Sequence, residues 1–186
     1  MNYAEIKHFD IANGVGVRTT IFVSGCRNHC PGCFNEETWD FGFGKVFSRE
    51  VEDKIIEELK TPYVDGLSVL GGEPLEPEIQ RDLAPFLERV RSEVPNTSVW
   101  MWTGFTWEQL TSDAMASSCR ARTNELPRIL NCLDVLVDGP FVLDQRDITL
   151  RFRGSPNQRI IDVPASRAAG EAVPWQDEEV FATRSW

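Results

Sequence analysis

Three cysteines, Cys26, Cys30 and Cys33, stand close together near the N-terminus in the spacing Cys-x3-Cys-x2-Cys. Thiolates are ligands for iron–sulfur clusters and for zinc, so this group predicts metal or redox chemistry. Gly25 and Gly32 lie in the same stretch and let the backbone take unusual dihedral angles. We therefore expect a short loop that directs three sulfurs toward one point.

Three thiolates would leave one iron of a cubane cluster without a protein ligand, because such clusters are usually held by four cysteines. An open iron can bind a substrate. The alternatives are an unused thiol group or a zinc site that adds His29, although this histidine is poorly spaced to share a metal with its neighbours. Cys119 and Cys132 stand alone and are expected to be buried and structural.

The elements that must hold this loop follow from the apolar pattern. Buried strands are predicted at 19–23, 67–70, 98–102 and 134–138, with a further strand at 159–163. Helical spacing predicts a helix around 51–59 behind a possible Ser48 cap, and another around 79–90 that Pro85 should bend or interrupt. Thr106 and Gln109 form a capping-box pattern, and 112–127 is expected to mix helix and loop.

Alternating strands and helices predict an α/β fold with a mostly parallel sheet and right-handed crossovers. The 186 residues fall short of the roughly 250 of a full eight-fold barrel, so we expect an open, partial TIM-like (β/α) barrel. Residues 1–163 would form this domain. Residues 164–186 would be an extension packed outside or partly disordered, and Trp175 and Trp186 indicate that some of it docks.

Composition narrows the classes of partner. The formal net charge of -10 disfavours nonspecific binding to nucleic acid or to an anionic membrane. No segment approaches the length of a membrane span, and the N-terminus lacks the pattern of a secretory signal. An odd number of cysteines, five, argues against a disulfide framework. These features predict a cytoplasmic protein.

Several further motifs accompany the cysteine loop in a characteristic order. They are Asp10-Ile11-Ala12-Asn13-Gly14-Val15-Gly16-Val17-Arg18, Phe22-Val23-Ser24-Gly25-Cys26, Cys30-Pro31-Gly32-Cys33-Phe34-Asn35, Thr38-Trp39, Gly71-Gly72-Glu73-Pro74-Leu75, Trp102-Thr103-Gly104, Leu136-Val137-Asp138-Gly139 and Arg153-Gly154-Ser155 with Asn157-Gln158. Over residues 2–163 the chain resembles the radical S-adenosylmethionine (SAM) superfamily. It is most similar to the activating proteins of the anaerobic (class III) ribonucleoside-triphosphate reductases.

The resemblance implies a [4Fe–4S] cluster on Cys26, Cys30 and Cys33, with the amino and carboxylate groups of SAM on the fourth iron. Reductive cleavage of SAM would give a 5′-deoxyadenosyl radical. That radical would take a hydrogen from a glycine near the C-terminus of the large reductase subunit. The implied partners are this subunit and a low-potential electron donor such as flavodoxin or ferredoxin. The cluster and SAM would carry out the radical chemistry, and the protein would bind and orient them.

The same resemblance implies which residues contact SAM. Gly71 and Gly72 would offer backbone groups to the SAM amino group, with Glu73 in support, although this motif also reads as a tight strand-to-helix turn. The superfamily often has an aromatic residue just before the third cysteine, where this chain has Gly32. The adenine contact is therefore expected from the backbone of Gly32, Cys33 and Phe34.

Two other motifs stay open between a structural and a functional role. Asp138 is either a site residue, with a cation beside it, or part of a capped turn. Trp102 stands where such a cation site would need an acidic residue. The loop around Asn13 is either a β-turn or a segment near the partner glycine. The open side of the barrel would be lined by Arg151, Arg153, Asn157 and Gln158, although Arg151 at least also fits a solvated loop.

Two alternative functions remain at this stage. The chain would activate a different glycyl radical enzyme, or be another small radical SAM enzyme. Alternatively, it would be a zinc-stabilised binding module without catalysis, which would contain zinc and bind no SAM.

Overall fold

The four central strands of the sheet are almost entirely buried, which accounts for their apolar sequences. The structure, a computed structural model, describes residues 1–176. Its strands are β1 (Asn2–Asp10), β2 (Arg18–Ser24), β3 (Lys45–Val46), β4 (Gly66–Gly71), β5 (Ser98–Trp102), β6 (Val135–Asp138) and β7 (Arg159–Asp162). Its helices are α1 (Arg49–Leu59), α2 (Pro77–Glu93), α3 (Trp107–Thr111), α4 (Leu126–Asn131) and α5 (Val163–Ala169).

The strands form one mixed sheet in the order β3-β1-β2-β4-β5-β6-β7. The pairs β2–β4, β4–β5 and β5–β6 are parallel, whereas β1, β3 and β7 join antiparallel to their neighbours. The α/β class is therefore confirmed, but the expectation of a mostly parallel sheet holds only for its centre. Strand β1 is absent from the predicted strands because its residues are polar and largely exposed or half-buried, so no buried run marks them.

The helices lie largely where the apolar spacing predicts them. Helix α1 begins directly after Ser48, although the Ser48 side chain makes no capping hydrogen bond. Helix α2 continues through Pro85, so the prediction of an interruption there is wrong; its buried residues on both sides of Pro85 belong to the same core. The capping box of α3 is confirmed, because Gln109 N donates to Thr106 Oγ1 at 3.3 Å and Thr106 N donates to Gln109 Oε1 at 2.8 Å.

One hydrophobic core joins the buried residues of the sheet to those of α1, α2 and α4. Cys119 and Cys132 belong to this core, with 9% and 5% of their surfaces exposed. No helix within residues 1–176 has both the length and the apolar character needed to cross a membrane.

The segment after β7 returns to the sheet. Asp162 accepts the N-terminal hydrogen bond of α5 from Ala165 N at 2.8 Å, and α5 ends at Gly170 with a φ of 76°. The chain then runs beside β7: Asp162 N donates to Val173 O at 3.0 Å and Trp175 N donates to Ile160 O at 2.9 Å. The Trp175 ring packs edge-on against Trp100, with ring centroids 5.0 Å apart. The predicted docking of Trp186 lies outside the described residues.

Arg18 is a fully buried arginine at the start of β2. Its guanidinium donates to Ser68 Oγ at 2.6 Å and to Ser98 Oγ at 2.8 Å. It also donates to the carbonyl oxygens of Val15, Leu67 and Ser98. Burial lowers the pKa of Arg18 to about 10, opposed by the nearby Asp65, Asp134 and Asp10, so the side chain remains a cation at neutral pH. Arg18 thus ties the loop before β2 to β4 and β5.

We expect Arg18→Met to destabilise the protein by roughly 3 kcal/mol or more, because each buried acceptor left without a donor costs about 1–3 kcal/mol. Urea unfolding followed by circular dichroism measures this loss. The matched control is Arg167→Met on the exposed side of α5, where surface substitutions change stability by about 0.5 kcal/mol at most. Equal unfolding curves for the two variants would contradict the structural role of Arg18.

Candidate functional site

A cavity of about 650 Å³ opens where the parallel strands β2, β4 and β5 end. The predicted metal ligands and SAM contacts all line it: Cys26, Cys30, Gly32, Cys33, Phe34, Gly71, Gly72 and Glu73. They come from two loops, one after β2 and one after β4, and the carboxyl ends of neighbouring parallel strands meet at one edge of a sheet. Cys119 and Cys132 lie instead in the hydrophobic core.

The cysteine loop is shaped by the turn that follows it. Gly25 leaves β2 with a φ of 115°, and a side chain there would meet the Phe41 ring at 2.3 Å. Gly25 N donates to Thr38 O at 2.7 Å, and Cys26 N donates to Trp39 O at 3.2 Å. The loop therefore begins against the 36–39 turn, which accounts for the nearby Thr38-Trp39 motif.

Backbone N–H groups lie near the three sulfurs. Asn35 N donates to Cys33 Sγ at 3.4 Å. The N–H groups of Asn28 and His29 act to lower the pKa of Cys26, and that of Phe141 acts to lower the pKa of Cys30. Such bonds favour thiolates, the form that binds iron. Burial nevertheless raises the pKa of Cys26 to about 11 and also raises the pKa of Cys30. Three sulfurs that line one cavity, with backbone N–H groups near them, are a fitting donor set for an iron–sulfur cluster.

The three sulfurs share the cavity, and the predicted site is one for a cluster rather than for a single metal ion. Within residues 1–176, no three His, Cys, Asp or Glu side chains are grouped closely enough to hold one metal ion. His29, the added ligand of the zinc alternative, has a φ of 46° and its ring stacks on Trp39 with centroids 4.5 Å apart.

The Glu73 carboxylate connects three segments of the cavity wall. Its side chain is fully buried and accepts four hydrogen bonds. Oε1 accepts from Leu75 N at 3.0 Å and from Thr103 Oγ1 at 2.8 Å, whereas Oε2 accepts from Gly104 N at 2.7 Å and from Asn28 Nδ2 at 3.0 Å. Burial raises the pKa of Glu73, and the hydrogen bonds oppose that rise. The carboxylate thereby joins the loop after β4 to the cysteine loop and to the end of β5.

The Gly71-Gly72-Glu73 turn is attached directly to the end of β2. Gly72 N donates to Val23 O at 2.7 Å, and Glu73 N donates to Gly25 O at 2.8 Å. A Cβ atom at Gly72 would lie 2.5 Å from Gly25 O and 3.0 Å from Thr38 O. The absence of a side chain at Gly72 is therefore what lets the two loops approach each other.

Asp138 at the end of β6 has a structural environment. Its buried carboxylate accepts Arg159 Nε at 3.0 Å, Arg159 Nη2 at 2.5 Å and Trp107 N at 2.6 Å. Arg159 also pairs with Glu108, at 2.8 Å from Nη2. These contacts favour the reading of Asp138 as a residue that fixes the start of α3.

The structure adds cavity residues beyond the predicted ligands and SAM contacts. Asn28, Trp102, Phe141 and Phe152 line the cavity, as does Asn13 from the loop before β2. Asn13 Nδ2 donates to Asp10 Oδ2 at 2.5 Å. Trp102 Nε1 donates to Phe152 O at 2.6 Å and so connects β5 to the loop that covers one side. Asn13 and Trp102 belong to motifs that the sequence marks. Asn28, Phe141 and Phe152 carry no such signal, because they reach the cavity only in the folded chain.

Comparison with known proteins agrees with this geometry. The family described as a 4Fe-4S single cluster domain matches residues 12–161. The anaerobic ribonucleoside-triphosphate reductase-activating proteins of Escherichia coli (strain K12) and Vibrio cholerae are 39% and 40% identical to this chain, covering 85% and 86% of it and 96% and 97% of their own lengths. The protein of the same name from Enterobacteria phage T4 is 31% identical over 86% of this chain and 93% of its own.

These similarities extend over the cysteine loop, the Gly71-Gly72-Glu73 turn and the strands that hold them. The chain belongs to the 4Fe-4S single cluster domain family and, within it, to the anaerobic ribonucleoside-triphosphate reductase-activating proteins.

Proposed function

We propose that this chain is a radical SAM activase that generates a glycyl radical on the anaerobic ribonucleoside-triphosphate reductase. The observation that carries the proposal is the shared cavity, in which three thiols face the Gly71-Gly72-Glu73 turn. Family membership supports the partner, because the relatives are named for activating this reductase.

Cys26, Cys30 and Cys33 would hold a [4Fe–4S] cluster and leave one iron open for SAM. When bound, the two cofactors supply one-electron reductive cleavage of SAM. The protein keeps the thiolates accessible from the cavity, and its backbone N–H groups stabilise their negative charge.

The turn after β4 would bind the amino acid end of SAM. The N–H groups of Gly72 and Glu73 already donate to the end of β2, so an ammonium group would find its acceptors among the carbonyl oxygens of the turn. Glu73 would act mainly by positioning this turn, since four donors already occupy its carboxylate.

The aromatic wall of the cavity would exclude water from the reactive centre. Trp102, Phe141 and Phe152 lie along it, and Phe34 stands 86% exposed at its margin. A dry site limits side reactions of a reactive species before it reaches the partner. Asn13, on the loop before β2, would lie near the arriving glycine.

The finer architecture and setting belong to the same proposal. The central parallel strands would correspond to an open, partial TIM-like barrel formed by residues 1–163, with 164–186 as an extension. A low-potential flavodoxin or ferredoxin would supply the electron. A reducing cytoplasm, which preserves free thiols, would be the setting for this activity.

Anaerobic reconstitution tests the proposal. The protein, loaded with iron and sulfide, is incubated with SAM, a reductant and the large reductase subunit, and electron paramagnetic resonance is used to detect a glycyl radical. We expect iron and sulfide in the loaded protein and a radical signal that requires SAM. A zinc-containing, colourless protein that binds no SAM would refute the activase function. SAM cleavage without a glycyl radical on the reductase would instead refute this partner.

A further inference from the structure

Asn28 lies between the first two cysteines, and its side chain has a partner on each side. Its Nδ2 atom donates to Glu73 Oε2 at 3.0 Å. Its Oδ1 atom accepts a hydrogen bond from Arg120 Nη2. The amide therefore connects the cysteine loop to the carboxylate that organises the cavity wall and to an arginine from the 112–123 segment.

Arg120 is itself held by groups outside the cysteine loop. Its Nε and Nη2 atoms donate to Glu76 Oε1 at 3.1 and 3.0 Å, and its guanidinium lies 4.7 Å from the centre of the Phe105 ring. The Glu76 side chain is fully buried and also accepts Arg27 N at 2.9 Å. A buried carboxylate and an aromatic ring thus fix the guanidinium where it meets Asn28.

The charges on either side of Asn28 set the direction of its amide. The oxygen faces the cationic guanidinium and the nitrogen faces the Glu73 carboxylate. A reversed amide would place an N–H donor against a donor and an oxygen against a carboxylate, which is unfavourable at both ends. Arg120 therefore selects the orientation in which Asn28 donates to Glu73.

Close packing at the end of β5 adds a steric requirement. A Cβ atom at Gly104 would lie 2.4 Å from Asn28 Nδ2, and Gly104 N donates to the same Glu73 oxygen as Asn28 does. The Asn28 amide therefore brings the cysteine loop into contact with both the Glu73 carboxylate and the turn after β5.

We propose that Arg120 is a positioning residue that acts through Asn28 to hold the cysteine loop against the SAM-binding turn at Glu73. This inference rests on the proposed function, because it assigns the spacing between a cluster and its SAM. In the described contacts Arg120 touches neither the sulfurs nor the Gly71-Gly72 backbone. It sets the position of Asn28, which contacts the Glu73 carboxylate from the cysteine loop.

The test compares Arg120→Gln and Asn28→Ala with the wild type in the anaerobically reconstituted full-length protein. Equilibrium binding of SAM and the change in the cluster's electron paramagnetic resonance spectrum on SAM addition are measured alongside iron content. We expect about ten-fold weaker SAM binding in both variants, as for the loss of a hydrogen bond to a charged group, with iron content unchanged. Arg128→Gln, which removes a surface pair with Glu88 away from the cavity, is the matched control and should bind SAM normally.

The double variant distinguishes a relay from two separate effects. If Arg120 acts through Asn28, Arg120→Gln combined with Asn28→Ala binds SAM no more weakly than Asn28→Ala alone. Additive losses of SAM affinity in the double variant would overturn the inference, as would SAM binding by Arg120→Gln equal to that of Arg128→Gln. Glycyl radical formation by the wild type would leave the proposed function intact in either case. Glu76 keeps its pair with Arg27 in Arg120→Gln, and thermal unfolding verifies folding. If this variant does not fold, wild-type-like SAM binding by Asn28→Ala still overturns the inference.

Discussion

Replacing Cys26, Cys30 or Cys33 singly with alanine should remove the iron-dependent absorbance and lower glycyl radical formation by more than about 100-fold. The reason is that each sulfur would supply one of only three protein ligands, and even groups that merely support metal ligands typically account for 10- to 100-fold effects. All three thiols line the cavity, whereas Cys119 and Cys132 lie in the hydrophobic core and are not placed to replace them. Iron analysis and electron paramagnetic resonance of the anaerobically prepared variants measure the outcome.

Cys132→Ala provides the control for these variants. Cys132 is 5% exposed in the hydrophobic core, so its loss should cost some stability but no iron. An iron content that falls in Cys132→Ala, or persists in Cys30→Ala, would mean that the cluster is held by a different set of thiols. No iron of the cluster would then necessarily be left open for SAM, because an open iron requires three protein ligands and no fourth.

Gly72→Ala should weaken SAM binding at least about ten-fold and destabilise the fold by about 1–3 kcal/mol, the usual cost of overpacking. The added methyl group would lie 2.5 Å from Gly25 O and 3.0 Å from Thr38 O, and both are backbone atoms without rotamers to move away. The two loops must therefore separate, which alters the distance from the cysteines to the turn after β4. SAM binding and urea unfolding report the two effects independently.

Gly42→Ala is the matched control for this variant. A Cβ atom at Gly42 would approach Asp40 Oδ1 at 3.4 Å, an ordinary contact, and Gly42 has no left-handed backbone angle. It should therefore leave SAM binding unchanged. If Gly72→Ala bound SAM as well as Gly42→Ala does, close approach of the two loops would not be a requirement of the site.

Local patterns in the sequence predict the central strands and the cavity residues well, because each of these features is marked by a few neighbouring residues. The run at 19–23 is β-branched or apolar on both faces and lies within the buried β2. The cysteine spacing marks a loop that the structure places beside Gly71 and Gly72. Strand β1 lacks such a signal, since its half-exposed residues read as an irregular polar segment. Pro85 does not interrupt α2, because the buried face of the helix outweighs the lost backbone hydrogen bond.

Contacts between segments that are distant in sequence cannot be predicted from such local patterns. Asn28 and Arg120 are 92 residues apart, and nothing in the 112–127 stretch indicates that it reaches the cysteine loop. The sequence predicts that Glu73 supports SAM, but the four donors to its carboxylate come from three separate segments that meet only in the folded chain. The sequence predicts residues that line one cavity, whereas the hydrogen-bond network that spaces them depends on tertiary packing.

The strand-like return of the chain beside β7 has a consequence for solubility. A sheet with free edges exposes unpaired backbone groups that can recruit strands of other molecules, the usual route to edge-to-edge aggregation. Here the outer side of β7 is covered by Val173 and Trp175, while the opposite edge is the two-residue β3, which carries Lys45. Residues 173–175 therefore cover the edge of β7, and we expect a chain shortened to residue 163 to expose the unpaired backbone groups of that edge.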